Sequence, residues 1–98
     1  MKGSYVLRDW ETEHLQKLLS NLIDNLLTGR SKKENLTGVN ICPHDCRIIL
    51  PLLGWEYEDE FDNYHDFEWT YVKDNKYLYL ALNIEILELT MVIEDVEE

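Results

Sequence analysis

Positive charge is scarce in the second half of this chain: residues 55–98 hold two lysines, Lys73 and Lys76, and no arginine, against fourteen Asp and Glu, a balance of −12. Residues 1–54 hold seven basic groups against six acidic ones, a balance of +1, so the net charge of −11 belongs to the C-terminal half. Such a field repels nucleic acid and anionic membranes and steers the chain toward basic surfaces. It exceeds the magnitude of about 2–8 that keeps a small domain in solution, which makes partner selection part of the reading. Cysteine is nearly absent as well. Cys42 and Cys46 are the only two, so no disulfide framework is expected and both should be thiols. Four glycines and two prolines are too few for a low-complexity linker. No apolar run approaches the roughly 18 residues of a membrane span, and Met1-Lys2-Gly3-Ser4-Tyr5 does not open an apolar leader, so a cytoplasmic protein is expected.

What is present is enough to fold. Apolar residues make up 45% and aromatics 11% of 98 residues, which fits one domain burying roughly 60–65% of its unfolded surface. Leu15, Leu18, Leu19, Leu22, Ile23, Leu26 and Leu27 recur at alternating three and four, predicting a helix over about 9–28. Asp9 is read as its N-cap and Gly29 as the residue that ends it. The leucine stripe is its core face, or alternatively the seam of a homodimer. Residues 29–40 are polar, aperiodic and basic through Arg30, Lys32 and Lys33, and are expected to form a surface loop. A short helix over about 43–50 should begin at Pro43 and stop before Pro51, with Ile48, Ile49, Leu50, Leu52 and Leu53 completing the core. Phe67, Trp69 and Tyr71 alternate with polar neighbours, Asp74-Asn75 supplies a turn, and a sheet is expected over about 67–93. A further turn is placed near Ala81 to Ile84, and residues 94–98 are read as an acidic tail. The expected fold is α+β: a long N-terminal helix and a short second helix on a small antiparallel sheet of two or three strands.

Few residues invite catalysis. Cys42, His44 and Cys46 are zinc-type ligands, but a structural zinc needs four and no second cysteine pair exists, so no metal or cofactor is expected. Cys42 or Cys46 with His65 and Asp66 forms a formal nucleophile set, yet the chain contains no Gly-x-Ser-x-Gly, P-loop, dinucleotide fingerprint or His-Glu-x-x-His. A binding protein rather than an enzyme is expected.

Residues 55–68 are the most unusual stretch. Glu56, Glu58, Asp59, Glu60, Asp62, Asp66 and Glu68 interleave with Trp55, Tyr57, Phe61, Tyr64 and Phe67, and no lysine or arginine intervenes. The glycine and terminal glutamate of a calcium loop are missing from register. If the backbone were extended, Glu56, Glu58, Glu60 and Asp62 would line one side at about 6.6 Å, of the same order as the phosphate interval of about 3.4 Å per strand in duplex DNA. Trp55, Tyr57 and Phe61 would anchor, and Glu94 to Glu98 would extend the acidic surface.

In size, composition and lopsided charge the chain resembles the small acidic inhibitors of phages and mobile elements, the DNA-mimic antirestriction and anti-CRISPR proteins. The resemblance centres on residues 55–98 and departs from the pattern over the electrically balanced residues 1–54. It implies a non-enzymatic inhibitor that occupies the basic groove of a nucleic-acid-binding protein, such as a host defence nuclease, in the host cytoplasm. The alternative is a self-associating assembly protein with a solvated acidic face, held by the helix stripe or a strand edge.

Overall fold

The structure is a computed structural model that describes residues 7–62 and 66–96, Asp62 by its backbone alone. Its first element, α1 (Asp9–Leu27), follows the leucine periodicity. The N-cap is Arg8 rather than Asp9. The Glu11 carboxylate accepts from the Arg8 backbone N–H at 2.9 Å, so the aspartate is left in the first turn, where a negative charge suits the helix dipole. Gly29 takes φ of +78° after Thr28, the left-handed conformation in which helices commonly end. Leu19 and Ile23 are buried, Leu15, Leu18, Leu22 and Leu26 pack around them, and Leu27 is exposed. Most of the stripe is therefore spent on the chain's own core. A leucine buried as fully as Leu19 contributes about 1.5–3 kcal/mol by leaving water.

The expected surface loop has structure in it. Glu34–Asn35 form a two-residue strand, β1, and Thr37–Val39 a single 3-10 turn, with Leu36 fully buried between them. The Leu36 N–H donates to the Leu89 carbonyl at 2.8 Å and the Thr37 hydroxyl accepts from Leu89 N–H at 2.7 Å. One apolar side chain in a polar run carries no periodicity, which is why the segment reads as loop.

The second helix, α2, runs Pro43–Leu52 and contains Pro51 instead of stopping before it. Proline at the last turn removes a single N–H, and the carbonyls around it find other donors: Leu53 N–H serves Ile49 and Leu50, Trp55 N–H serves Leu50, and Gly54 N–H serves Pro51. The buried Asp45 accepts from Cys42 N–H at 3.2 Å at the other end. Ile49 and Leu50 are fully buried, but Leu52 is 55% exposed and does not join the core.

Among the described residues the sheet has five strands, not two or three, in the order β1-β5-β4-β3-β2, every pair antiparallel. Besides β1 these are β2 (Glu56–Asp62), β3 (Asp66–Lys73), β4 (Lys76–Asn83) and β5 (Glu88–Asp95). The expected sheet was too small because dense acids at 56–62 conceal β2 and the two residues of β1 are too few to show alternation, while pairing with neighbours overrides the low strand preference of the acids. Asp74 and Asn75, at φ of +50° and +62°, make the tight β3–β4 turn. The β4–β5 turn lies at 84–87 rather than at the expected 81–84, and in it Asn83 Oδ1 accepts from the N–H of Glu85 at 2.9 Å and of Ile86 at 3.3 Å. Tyr71, Leu78, Leu80, Leu89 and Met91 share the inner face and meet Leu19, Ile23, Ile49 and Leu50 of the helices. Among the described residues no helix covers the outer face.

Candidate functional site

The acidic segment is β2, an edge strand, and its carboxylates do not form one row. A bulge at Glu58 shifts the register between Tyr57 and Asp59. Glu56 is opposite Val72, and Asp59 and Phe61 are opposite Thr70 and Glu68, so all three share the outer face. Tyr57 and Glu60 are opposite Tyr71 and Trp69, on the inner face, and Asp62 pairs with Phe67. The expectation of a phosphate-like line from Glu56 to Asp62 is thus corrected: one inserted residue sends Glu60 to the other face.

Trp55, expected as an anchor, is 3% exposed and belongs to the core, with the Lys73 ammonium 5.9 Å from its ring. Tyr57 and Phe61 remain accessible at 43% and 59%. Tyr57 is nevertheless engaged within the chain, edge-on to Tyr71 at 5.5 Å and under the Arg47 guanidinium at 5.6 Å. Tyr64 and His65 lie outside the described residues, as do Glu97 and Glu98.

The sheet assembles an acidic surface from strands far apart in sequence. Register places Glu56 and Asp59 of β2, Asp66 and Glu68 of β3, and Glu88 and Glu94 of β5 on the outer face. Between them lie Val72, Tyr77, Tyr79, Thr70, Ala81, Thr90 and Val92, all half-buried. Neighbouring strands are about 4.8 Å apart, so this face spans roughly 14 Å from Glu56 to Glu94. The two lysines of these strands, Lys73 and Lys76, are paired in register on the inner face. There Lys73 Nζ donates to the Leu53 carbonyl at 2.8 Å and Lys76 binds Asp95. Hence strands β2 to β5 direct no cation outward. Tyr79, in the middle, has its phenol pushed above its ordinary range, first by desolvation and then by Glu94, with Tyr77, Glu58 and Glu68 adding to it. Sequence reading missed Tyr77, Tyr79, Glu88 and most of the role of Glu94, because they join the surface only through pairing; the alternation of 77, 79 and 81 with the core leucines was the available signal.

The cysteine motif forms no comparable site. Cys42 is exposed and Cys46 fully buried. A cleft of about 350 Å³ beside Cys42 is lined by His44, Arg47, Trp69, Tyr71 and Leu80. Partial burial, with the Asp45 charge, pushes the Cys42 thiol up. Among the described residues no group of three His, Cys, Asp or Glu side chains is placed to hold a metal ion. No helix among them is long and apolar enough to cross a membrane.

The fold and this surface define a two-layer α+β domain, helices on one face of an antiparallel sheet and an acidic, aromatic face left open on the other. No family model, curated protein or solved structure matches the chain.

Proposed function

We propose that the chain is a non-enzymatic acidic binding protein that inhibits a nucleic-acid-binding protein, such as a host defence nuclease, by occupying its basic groove. The observation that carries this reading is the single sign of the open sheet face, where carboxylates from three strands surround half-buried tyrosines and valines and the strand lysines turn away. Like-charged groups brought together by folding raise the energy of the compact state. A partner that supplies lysines and arginines removes that repulsion and gains on-rate from steering. The leucine stripe packs largely into the chain's own core, which disfavours self-association along α1; the edge strand β2 is the surface the rival reading would use.

The test is capture from host lysate by the full chain and by a variant carrying Glu58→Gln, Asp59→Gln, Glu68→Gln and Glu94→Gln, followed by a nucleic-acid-binding assay on what is retained. The expected result is a basic protein that is held by the wild type, lost with the variant, and displaced from its nucleic acid when the chain is added. Retention of the same set by both, or recovery of the chain alone, refutes the reading.

A further inference from the structure

This inference rests on the basic-partner reading and names the side chain the partner brings. Tyr77 and Tyr79 are two apart on β4, with ring centroids 5.8 Å apart and planes inclined by 42°. Tyr77 is opposite Glu94 on one side and Val72 on the other, and Tyr79 is opposite Val92 and Thr70. Both rings are half-buried, so each keeps part of its surface toward solvent. Glu94 is directly opposite Tyr77, Asp59 is opposite the Thr70 that faces Tyr79, and Glu68 is opposite Ala81, one outer-face position along β4 from Tyr79, so three carboxylates share the face with the ring pair.

Two kinds of contact are therefore offered side by side: an aromatic surface and carboxylate acceptors. A lysine ammonium is a compact, strongly hydrated charge that uses the second well and the first weakly. A guanidinium is planar, more weakly hydrated, stacks on aromatic rings and donates in parallel to both oxygens of a carboxylate, so it uses both at once. Arg47 already lies over the Tyr57 ring inside this chain, its guanidinium 5.6 Å from the ring centroid. We propose that Tyr77 and Tyr79, with Asp59, Glu68 and Glu94, form a docking surface on the outer sheet face for arginine side chains of a basic protein segment. Charge complementarity selects the protein's basic region, and the tyrosine pair selects arginine within it.

The experiment titrates two synthetic peptides of equal length and charge, one bearing arginines and the other lysines, into the full chain, with affinity read by calorimetry. The arginine peptide is expected to bind about threefold or more tightly, the size of a cation–π contribution at an exposed site. The double variant Tyr77→Leu/Tyr79→Leu should bind both peptides equally, and Glu60→Gln, on the inner face, should keep the preference. In parallel, arginine side-chain protons of the bound peptide should show upfield ring-current shifts in the wild type, a readout that does not depend on the double variant folding. Equal affinities in the wild type, a preference that survives loss of both tyrosines, or unshifted side-chain protons overturn the inference while leaving the basic-partner reading intact. Failure of both peptides to bind overturns both.

Discussion

The Tyr57 hydroxyl donates to Glu60 Oε1 at 2.9 Å, a contact that residues three apart in an unbroken strand do not make, because their side chains leave opposite faces of the sheet. The bulge at Glu58 is what brings them together. It divides the acids of β2 between two surfaces and fixes which of them a partner on the outer face would meet.

Glu60→Gln should lower the Tyr57 phenol toward its ordinary value without restoring it. Desolvation is the first cause of the raised value and stays in the variant, whereas the hydrogen bond to a charged acceptor and its field, the next causes, are removed. Phenolate absorbance against pH, with Tyr57→Phe to assign the signal, measures this. An unchanged titration in the variant would mean that the contact does not form in solution.

How much of this was legible beforehand follows from where the information lies. Helix α1 is written in seven apolar residues at helical spacing, and the β3–β4 hairpin in Phe67, Trp69, Tyr71 and the Asp74-Asn75 turn, because each is decided by near neighbours. The bulge at Glu58 has no local signature; it follows from matching β2 to a β3 that has already been placed. Trp55 looked like part of the acidic segment because it adjoins Glu56, but its side chain follows the inner-face parity of Tyr57 and goes under Lys73. The acidic charge was visible, and its distribution over two faces was not.

Alkaline pH should destabilise the fold through Tyr71 and Cys46. Tyr71 is 2% exposed, and burial, helped by Cys46 and opposed by Arg47, pushes its phenol up from about 10 to about 12. The unfolded chain releases this proton near pH 10 while the folded chain keeps it, so the contribution is complete below about pH 10 and is lost as pH rises toward about 12. Two units correspond to about 2–3 kcal/mol. The fully buried Cys46 thiol is raised in the same way from a lower ordinary value of 9.0, so the decline begins near pH 9. Urea unfolding at a series of pH values should show a shallower decline for Tyr71→Phe than for the wild type. Parallel curves would remove Tyr71 from the account.

Gly54→Ala should cost about 1–3 kcal/mol, mainly through the backbone. Gly54 sits at φ of +95°, and an added Cβ would meet Lys73 Cε at 3.2 Å and Nζ at 3.3 Å. The end of a lysine side chain moves at little cost, whereas the backbone angle is fixed by the turn from α2 into β2. A Lys73→Ala background separates the two effects: most of the loss should persist there, as read by chemical denaturation. If the penalty vanishes once Lys73 is shortened, the contact and not the angle governs this position.

The outer face should make the isolated chain more stable as salt is added. Glu56, Asp59, Glu68 and Glu94 share a face to which the strands bring no cation, and their mutual repulsion is screened within about 10 Å at 0.1 M salt and more tightly above it. The denaturation midpoint should therefore rise between low salt and about 0.5 M for the wild type. Glu68→Gln and Glu94→Gln should each begin higher and gain less. Glu60→Gln is the contrasting case, since Glu60 lies on the inner face, bonded to the hydroxyl of Tyr57, whose ring Arg47 covers, and its removal should not reproduce the gain. If Glu68→Gln and Glu94→Gln lose stability instead, their carboxylates are held by favourable contacts within the chain, and the open face has less repulsion for a basic partner to relieve. If they gain stability and lose partner binding together, the repulsion stored in the folded chain is part of what drives its association.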